Sequence, residues 1–209
     1  MGQRLTKNRR ISKDRVRKLR IPKNKIIIAV EGKNKTEKIY FSNFDDGKKH
    51  YSISFAKGNY TDPVNLVKML IVEIKKIGLD LENNDEAYCI FDTDIDIQKN
   101  ILINDAINLA KENNIKVITS NPSIEIWFLL HFEYTTSRMN NKELIKRLKK
   151  YYPNYDKNIN IFKDINQNVK EAIKNAKKLE EYQINNNREI KSVEANPNTE
   201  IYKVVEKLL

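Results

Sequence analysis

A doubly wound, parallel α/β sheet flanked by helices, with a helical region after it, is the fold this sequence predicts. Three observations predict it. Short apolar runs recur, such as Ile26-Ile27-Ile28-Ala29-Val30 and Ala87-Tyr88-Cys89-Ile90-Phe91. Continuous runs of this kind suit strands buried on both faces of a parallel sheet. Each run is followed by a segment with helical spacing, and the strand–helix alternation repeats four times before residue 138.

Residues 1–24 precede the first strand and have no sustained apolar face. Residues 1–25 hold eleven Lys/Arg against the single acid Asp14, so nearly all of the formal +11 net charge lies there. Six of the nine arginines fall in the first twenty residues: Arg4, Arg9, Arg10, Arg15, Arg17 and Arg20. This stretch reads as a flexible basic arm suited to the phosphates of RNA or DNA, or to an acidic partner. A solvated tail that aids solubility is the plainer alternative.

Ile26–Val30 is the first strand, ended by Glu31-Gly32, and Lys35 to Phe44 reads as the first helix, with Thr36 and Glu37 in its first turn. Tyr51–Phe55 alternates apolar and serine residues, as a half-buried strand near a sheet edge does. Asp62-Pro63 supplies an N-cap and a first-turn proline for a helix that runs to Ile77 and stops at Gly78. Ala87–Phe91 is the third strand. Ile97 to Asn113 is the third helix, with Ile101, Ala106, Ile107, Leu109 and Ala110 as its apolar residues. Ile115–Thr119 is the fourth strand, and Asn121-Pro122 caps a helix from Ser123 to Phe132 that is apolar nearly all round, hence buried.

After about residue 138 the pattern changes. Asn140 to Tyr151 is a basic amphipathic helix, and Tyr152 to Asn168 reads as an ordered insertion or long loop. Val169 to Ile184 is a helix, and Asn196-Pro197-Asn198 caps a last one from Thr199 to Leu208. The predicted division is a basic arm at 1–24, an α/β core at 25–137, and a helical region at 138–209 packed on that core.

At 209 residues the chain accommodates one α/β domain with a helical addition. With 32% charged residues, and no apolar run near the ~20 residues that cross a bilayer, it reads as soluble, with no membrane partner. One cysteine, Cys89, excludes an internal disulfide and fits the cytoplasm.

In a doubly wound sheet, ligands sit in the crevice at the C-terminal strand ends where the winding reverses. Glu31 ends the first strand there, and Asp92, Asp94 and Asp96 follow the third. Alternate aspartates in an extended turn point the same way, so they converge on one ion. Oxygen-only ligands suit Mg²⁺ or Mn²⁺, and two such ions would support phosphodiester cleavage. Glu37 either joins this set or serves its helix N-terminus. Glu125, at the buried start of the fourth helix, is a ligand, a proton-transfer group or a helix-dipole acid paired with a lysine. His131 reads as a core histidine. Tyr151, Tyr152, Tyr155, Lys157, Phe162 and Lys163 interleave aromatics with lysines, as surfaces that stack bases do, although packing under a loop explains them equally. Lys157 would also suit the charge on a scissile phosphate.

Four stretches resemble the RloB-like family of bacterial defence and restriction-linked loci. They are Val30 to Phe41, Phe91-Asp92-Thr93-Asp94, Ser120 to Phe132, and Asn196-Pro197-Asn198-Thr199, with Tyr155-Asp156-Lys157 also fitting. That family is similar to the Toprim superfamily, in which a strand-end glutamate is followed by Asp-x-Asp. The resemblance implies a Toprim-like core. It also implies Glu31 as metal ligand or general acid/base, Asp92 and Asp94 as Mg²⁺ ligands, and Glu37 as a further acid. It implies an ABC/AAA-type ATPase encoded nearby as partner, and nucleic-acid cleavage, of tRNA among others, in abortive infection.

The leading expectation is therefore a Mg²⁺-dependent (or Mn²⁺-dependent) Toprim-like endonuclease with catalytic residues Glu31, Asp92, Asp94 and Glu125, and with a homo-oligomer left open. The competing ones are a non-catalytic nucleic-acid-binding or sensor subunit of the ATPase complex, and a phosphatase in which Asp92-Thr93-Asp94 is the nucleophile motif and Ser120 contacts phosphate.

Overall fold

The computed structural model describes residues 23–32, 35–58, 60–93 and 99–209. The arm with its six arginines, and Asp94 and Asp96, lie outside the described residues.

One five-stranded sheet organises the described chain, in the order β2-β1-β3-β4-β5. β1 (Asn24–Val30), β2 (Tyr51–Phe55), β3 (Glu86–Asp92) and β4 (Lys116–Asn121) are mutually parallel. The fold is α/β, as its sequence pattern predicts. β1 and β3 are the central strands, and their apolar residues serve both faces in alternation. Ile26, Ile28, Val30, Tyr88 and Ile90 belong to one core, while Ile27, Ala29, Cys89 and Phe91 belong to the other.

Helices cover both faces. α2 (Pro63–Ile77) and α3 (Lys99–Glu112) pack over the second core through Leu66, Leu70, Ile103 and Ala106. Asp62 caps α2 by accepting from the Asn65 N–H at 2.8 Å, and Gly78, at φ +61°, ends it in the left-handed conformation. α1 (Lys35–Ser42), α7 (Val169–Asn185) and α8 (Ile201–Leu208) contribute Tyr40, Phe41, Ala176, Leu179, Val204 and Val205 to the first core. α4 (Glu125–Leu129) is wholly buried, with Trp127 and Phe128 in that same core. Its other side, Ile126 and Leu129, meets Met139 and Leu144 at α5 (Asn141–Leu148). α1 follows β1 on one face and α2 follows β2 on the other, so the winding reverses between β1 and β3.

The structure corrects one expectation and sharpens two others. β4 runs on to Asn121, and Asn198–Thr199 is not a helix cap but β5, antiparallel to β4 with Ser120 opposite Thr199 and Asn121 opposite Asn198. Two residues are too short a strand to leave an alternation that can be read. Ile101, one of the apolar residues read into α3, is 71% exposed, while Ile103 is buried. Of the two readings of residues 152–168, the ordered insertion holds: α6 (Phe162–Ile165) and a 3₁₀ turn at Asn166–Asn168 lie within them, anchored by Phe162 against Tyr40 and Phe44.

The two Asn-Pro dipeptides, both cis, meet across the β4–β5 pair. The Asn196 amide donates to Asn121 Oδ1 at 2.7 Å and to the Met139 carbonyl at 3.0 Å, and its Oδ1 accepts from the Met139 N–H at 2.9 Å. Asn121 in turn donates to the carbonyls of Ser192 and Val193. No helix among the described residues is long and apolar enough to cross a membrane.

Truncating Asn196 would strand several buried partners at once. Asn196→Ala should lower the unfolding free energy by about 2–4 kcal/mol, since each buried polar group left unsatisfied costs roughly 1–3 kcal/mol. Urea denaturation followed by tryptophan fluorescence measures it, and a loss under about 0.5 kcal/mol would contradict this account of the Asn121–Asn196 network.

Candidate functional site

The reversal of winding brings the C-terminal ends of β1 and β3 together. Val30 lies opposite Ile90, so Glu31 and Asp92 leave neighbouring strands at one edge of the sheet. Gly32 follows Glu31 at φ +58°, a conformation that glycine adopts without a side-chain clash. Its N–H donates to the Tyr60 carbonyl at 2.6 Å, which ties this strand end to the β2–α2 loop. The resulting cleft, of about 100 Å³, is lined by Glu31, Asp92, Thr61, Asp62 and Ile103 among others. Glu31 and Asp92 are both partly exposed there.

Behind the cleft are two buried carboxylates. Glu37 stands in the first turn of α1, 3% exposed, and its Oε2 has no hydrogen-bond partner among the described residues. Burial pushes its carboxyl up to about 7, with Glu125 and Glu31 adding to the rise, against its own backbone N–H and Lys157. Asp92 is also raised well above the usual carboxylate range, first by burial and then by Glu37, Glu125 and Glu31, with Lys157 opposing. The four acids thus act on one another electrostatically, which is what carboxylates crowded into a low-dielectric site do.

Glu125 is the best-anchored of them. Ser123 donates to its Oε2 at 2.5 Å, the Tyr155 hydroxyl donates to its Oε1 at 2.9 Å, and Lys157 Nζ lies 3.9 Å from Oε1. Thr36, one residue before Glu37, donates to the Lys157 carbonyl at 2.7 Å. The 155–157 segment therefore bridges α1 and α4. Burial, and then the negative charge of Glu125, push the Tyr155 hydroxyl up, so it stays protonated as a donor.

The structure brings together Glu31, Glu37, Asp92, Glu125 and Lys157. Sequence reasoning placed Tyr155 among aromatics and lysines without assigning it to the acids, and left out Ser123 and Thr36 as partners. The Ser-x-Glu spacing of 123–125 is the one local signal that could have found a member, because Tyr155 reaches Glu125 across thirty residues. The other aromatics of that segment have partners within the chain. Tyr151 stacks on Phe132 and donates to Glu133, and Tyr152 donates to Asp164. His131 is buried with Nδ1 2.9 Å from the Trp127 carbonyl, and burial holds it down at about 4, as suits a core histidine. Ser120, the phosphate contact of the phosphatase alternative, is buried with its hydroxyl 2.8 Å from that of Thr199.

The donor set is oxygen only and includes a buried carboxylate oxygen that has no partner among the described residues, set among mutually repelling acids, which fits a hard divalent cation. Among the described residues, no three His, Cys, Asp or Glu side chains are grouped closely enough to hold a metal ion on their own. Asp94 and Asp96, the other expected ligands, lie outside those residues.

Fold and site together define a class: a parallel α/β protein with an acidic cluster where its winding reverses. The family model described as RloB-like protein matches residues 26–208, nearly the whole chain, and the chain belongs to the RloB-like family. No curated protein and no solved structure matches it.

Glu37 makes stability depend on pH in a definite direction. Its folded pKa of about 7 exceeds the unfolded value of 4.5, so the folded state holds more protons between the two. Its contribution is full below the unfolded value and falls as pH rises towards the folded one. His131 works the other way, losing stability as pH falls from 6.5 towards about 4, so the comparison must be with a variant. Without added metal, Glu37→Gln should gain about 3 kcal/mol on wild type between pH 4.5 and pH 8, at 1.36 kcal/mol per pKa unit. A difference between the two proteins that stays flat over that range in urea melts would contradict the burial of an ionisable Glu37.

Proposed function

We infer that this chain is a Mg²⁺- or Mn²⁺-dependent, Toprim-like phosphodiesterase that cuts RNA or DNA. In this reading it is the effector of an anti-phage system, working with an ABC/AAA-type ATPase. The observation that carries the reading is the convergence of Glu31 and Asp92, from neighbouring strand ends, on one cleft, with the buried Glu37 close enough to act on Asp92 electrostatically. A strand-end glutamate followed by Asp92-Thr93-Asp94 after β3 is the pattern the Toprim resemblance rests on. Glu31, Asp92 and Asp94 would hold the cation, with Glu37 and Asp96 as further oxygen donors. When bound, a divalent cation supplies charge neutralisation at the phosphate and a more acidic water.

The chain's own groups have distinct tasks in hydrolysis. Water adds its oxygen to phosphorus, the bond from phosphorus to the leaving oxygen breaks, and one proton passes from water to the products. Glu37 in the metal-free protein is poised near neutrality to hold or release a proton beside the cleft. Lys157 brings a positive charge to an otherwise acidic site, where it offsets charge on a bound phosphate. Glu125, engaged by Ser123 and Tyr155, acts through Lys157 by fixing the 155–157 segment rather than by meeting the substrate. The arginine-rich arm would bring nucleic acid to the cleft or dock on the ATPase.

Purified protein incubated with bulk tRNA or with single-stranded DNA in Mn²⁺ or Mg²⁺ tests the proposal. Glu31→Ala and Asp92→Ala should each lower the cleavage rate by about 100-fold or more while keeping the wild-type circular dichroism. Cleavage at the wild-type rate in either variant would sink the assignment.

A further inference from the structure

Outside the arm, the positive charge of this chain is gathered in one segment. Residues 138–168 hold eight Lys/Arg against three acids, whereas the rest of 26–209 holds twenty against twenty-four. The three acids are engaged locally. Glu143 and Asn140 form the capping box that starts α5, Asp156 accepts from the Asn158 N–H at 3.2 Å, and Asp164 accepts from the Tyr152 hydroxyl at 2.9 Å. Arg147 pairs with Glu133, and Lys157 faces Glu125. Lys142, Lys146, Lys149, Lys150 and Lys163 form no ion pair among the described residues.

Four of these lysines share one side of α5. Lys142, Lys146, Lys149 and Lys150 are exposed and recur at helical spacing, opposite the buried Leu144 and Leu148. The helix is fixed beneath them. Leu144 meets Ile126 and Leu129 of α4, and Glu133 accepts from both Arg147 and Tyr151. Lysines in a last turn favour the helix dipole, but Lys142, in the first turn, works against it. The stripe leads to the acidic site. The Tyr151 and Tyr152 N–H groups donate to the Leu148 carbonyl, the Tyr155 N–H donates to the Tyr152 carbonyl, and the Tyr155 hydroxyl reaches Glu125. Five residues of chain span at most about 18 Å, so Lys150 stands within that reach of Tyr155. Lys157 carries the positive charge on to the acids, where it acts on Glu37 and Asp92. Among the described residues of 138–168, Tyr151 is the one large exposed apolar side chain, and its ring stacks on Phe132. Unpaired lysines without an apolar centre suit a phosphate chain rather than a protein interface, whose core is apolar.

We propose that the α5 lysines and Lys157 form a track for the sugar-phosphate backbone of a nucleic-acid strand, which runs along α5 and enters the acidic cleft past Lys157. The track deepens the phosphodiesterase reading and rests on it for the fate of the strand. It reads no bases, because lysines that meet phosphates position a strand without specifying its sequence.

The test uses the full chain in EDTA and a fluorescein-labelled single-stranded RNA of about 20 nucleotides, read by fluorescence anisotropy over a range of salt. Lys146→Gln, Lys149→Gln and Lys150→Gln together should weaken binding about tenfold at ~0.1 M salt. They should also lower the slope of log affinity against log salt by about 2, at ~0.7 per phosphate contact of a single strand. Arginine at the same three positions should keep both. Glutamine at Lys75, Lys76 and Lys111, in the last turns of α2 and α3, removes the same charge and should leave the slope unchanged. A slope that falls equally in both glutamine variants, or in neither, overturns the track. Polyglutamate that loses affinity in the α5 variant while RNA does not would assign the stripe to an acidic protein and also overturn it. Binding in EDTA is read apart from cleavage. RNA that binds through the stripe yet is not cut in Mn²⁺ keeps the track and refutes the phosphodiesterase reading, and cutting with an unaltered slope does the reverse.

Discussion

Crowding of carboxylates at the ends of two adjacent parallel strands is the constraint on which the rest of this structure depends. A buried carboxylate is costly unless it is protonated, hydrogen-bonded or neutralised by a cation. The protein applies a different remedy at each position. Glu125 is satisfied by Ser123 and Tyr155 and faced by Lys157. Glu37 retains a proton to about 7 and keeps one oxygen without a partner among the described residues. Asp92 stays partly open to the cleft. Acids serving only as surface turns would need none of this, because water would solvate them.

The C-terminal third is what makes the arrangement possible. Tyr155 and Lys157 come from beyond α5, and they reach both the start of α1 and the start of α4. β5 pairs with the end of β4, Asn196 just before it donates to Asn121, and Trp127, Phe128, Leu179 and Val205 share one core. The helical region is thus continuous with the sheet through a strand, side-chain hydrogen bonds and apolar packing. Loosening it would free the 155–157 segment and leave Glu125 buried without its donors.

Much of this was legible in the sequence, for physical reasons. Ile26–Val30 and Ala87–Phe91 read as central strands because burial on both faces demands unbroken apolar runs. The helix Pro63–Ile77 was bounded correctly because Asp62, Pro63 and Gly78 each impose a specific backbone geometry. Once the winding was read, the edge that collects Glu31 and Asp92 followed from topology. What stayed hidden depends on contacts between distant residues. β5 is two residues long, the Tyr155–Glu125 bond spans thirty residues, and the matching of Asn121 with Asn196 spans seventy-five. Ile101 misled because its spacing fits the helix while its side chain faces solvent.

The central claim is that the carboxylates at the β1 and β3 ends hold a divalent cation. Crystals soaked in Mn²⁺, with data collected for anomalous scattering from manganese, test it most directly. The account predicts an anomalous peak at about 2.0–2.3 Å from an Asp92 carboxylate oxygen and from one of Glu31 or Glu37, a peak that Asp92→Asn removes. Ordered, unliganded carboxylates at millimolar Mn²⁺, or a peak confined to another part of the molecule, would contradict it.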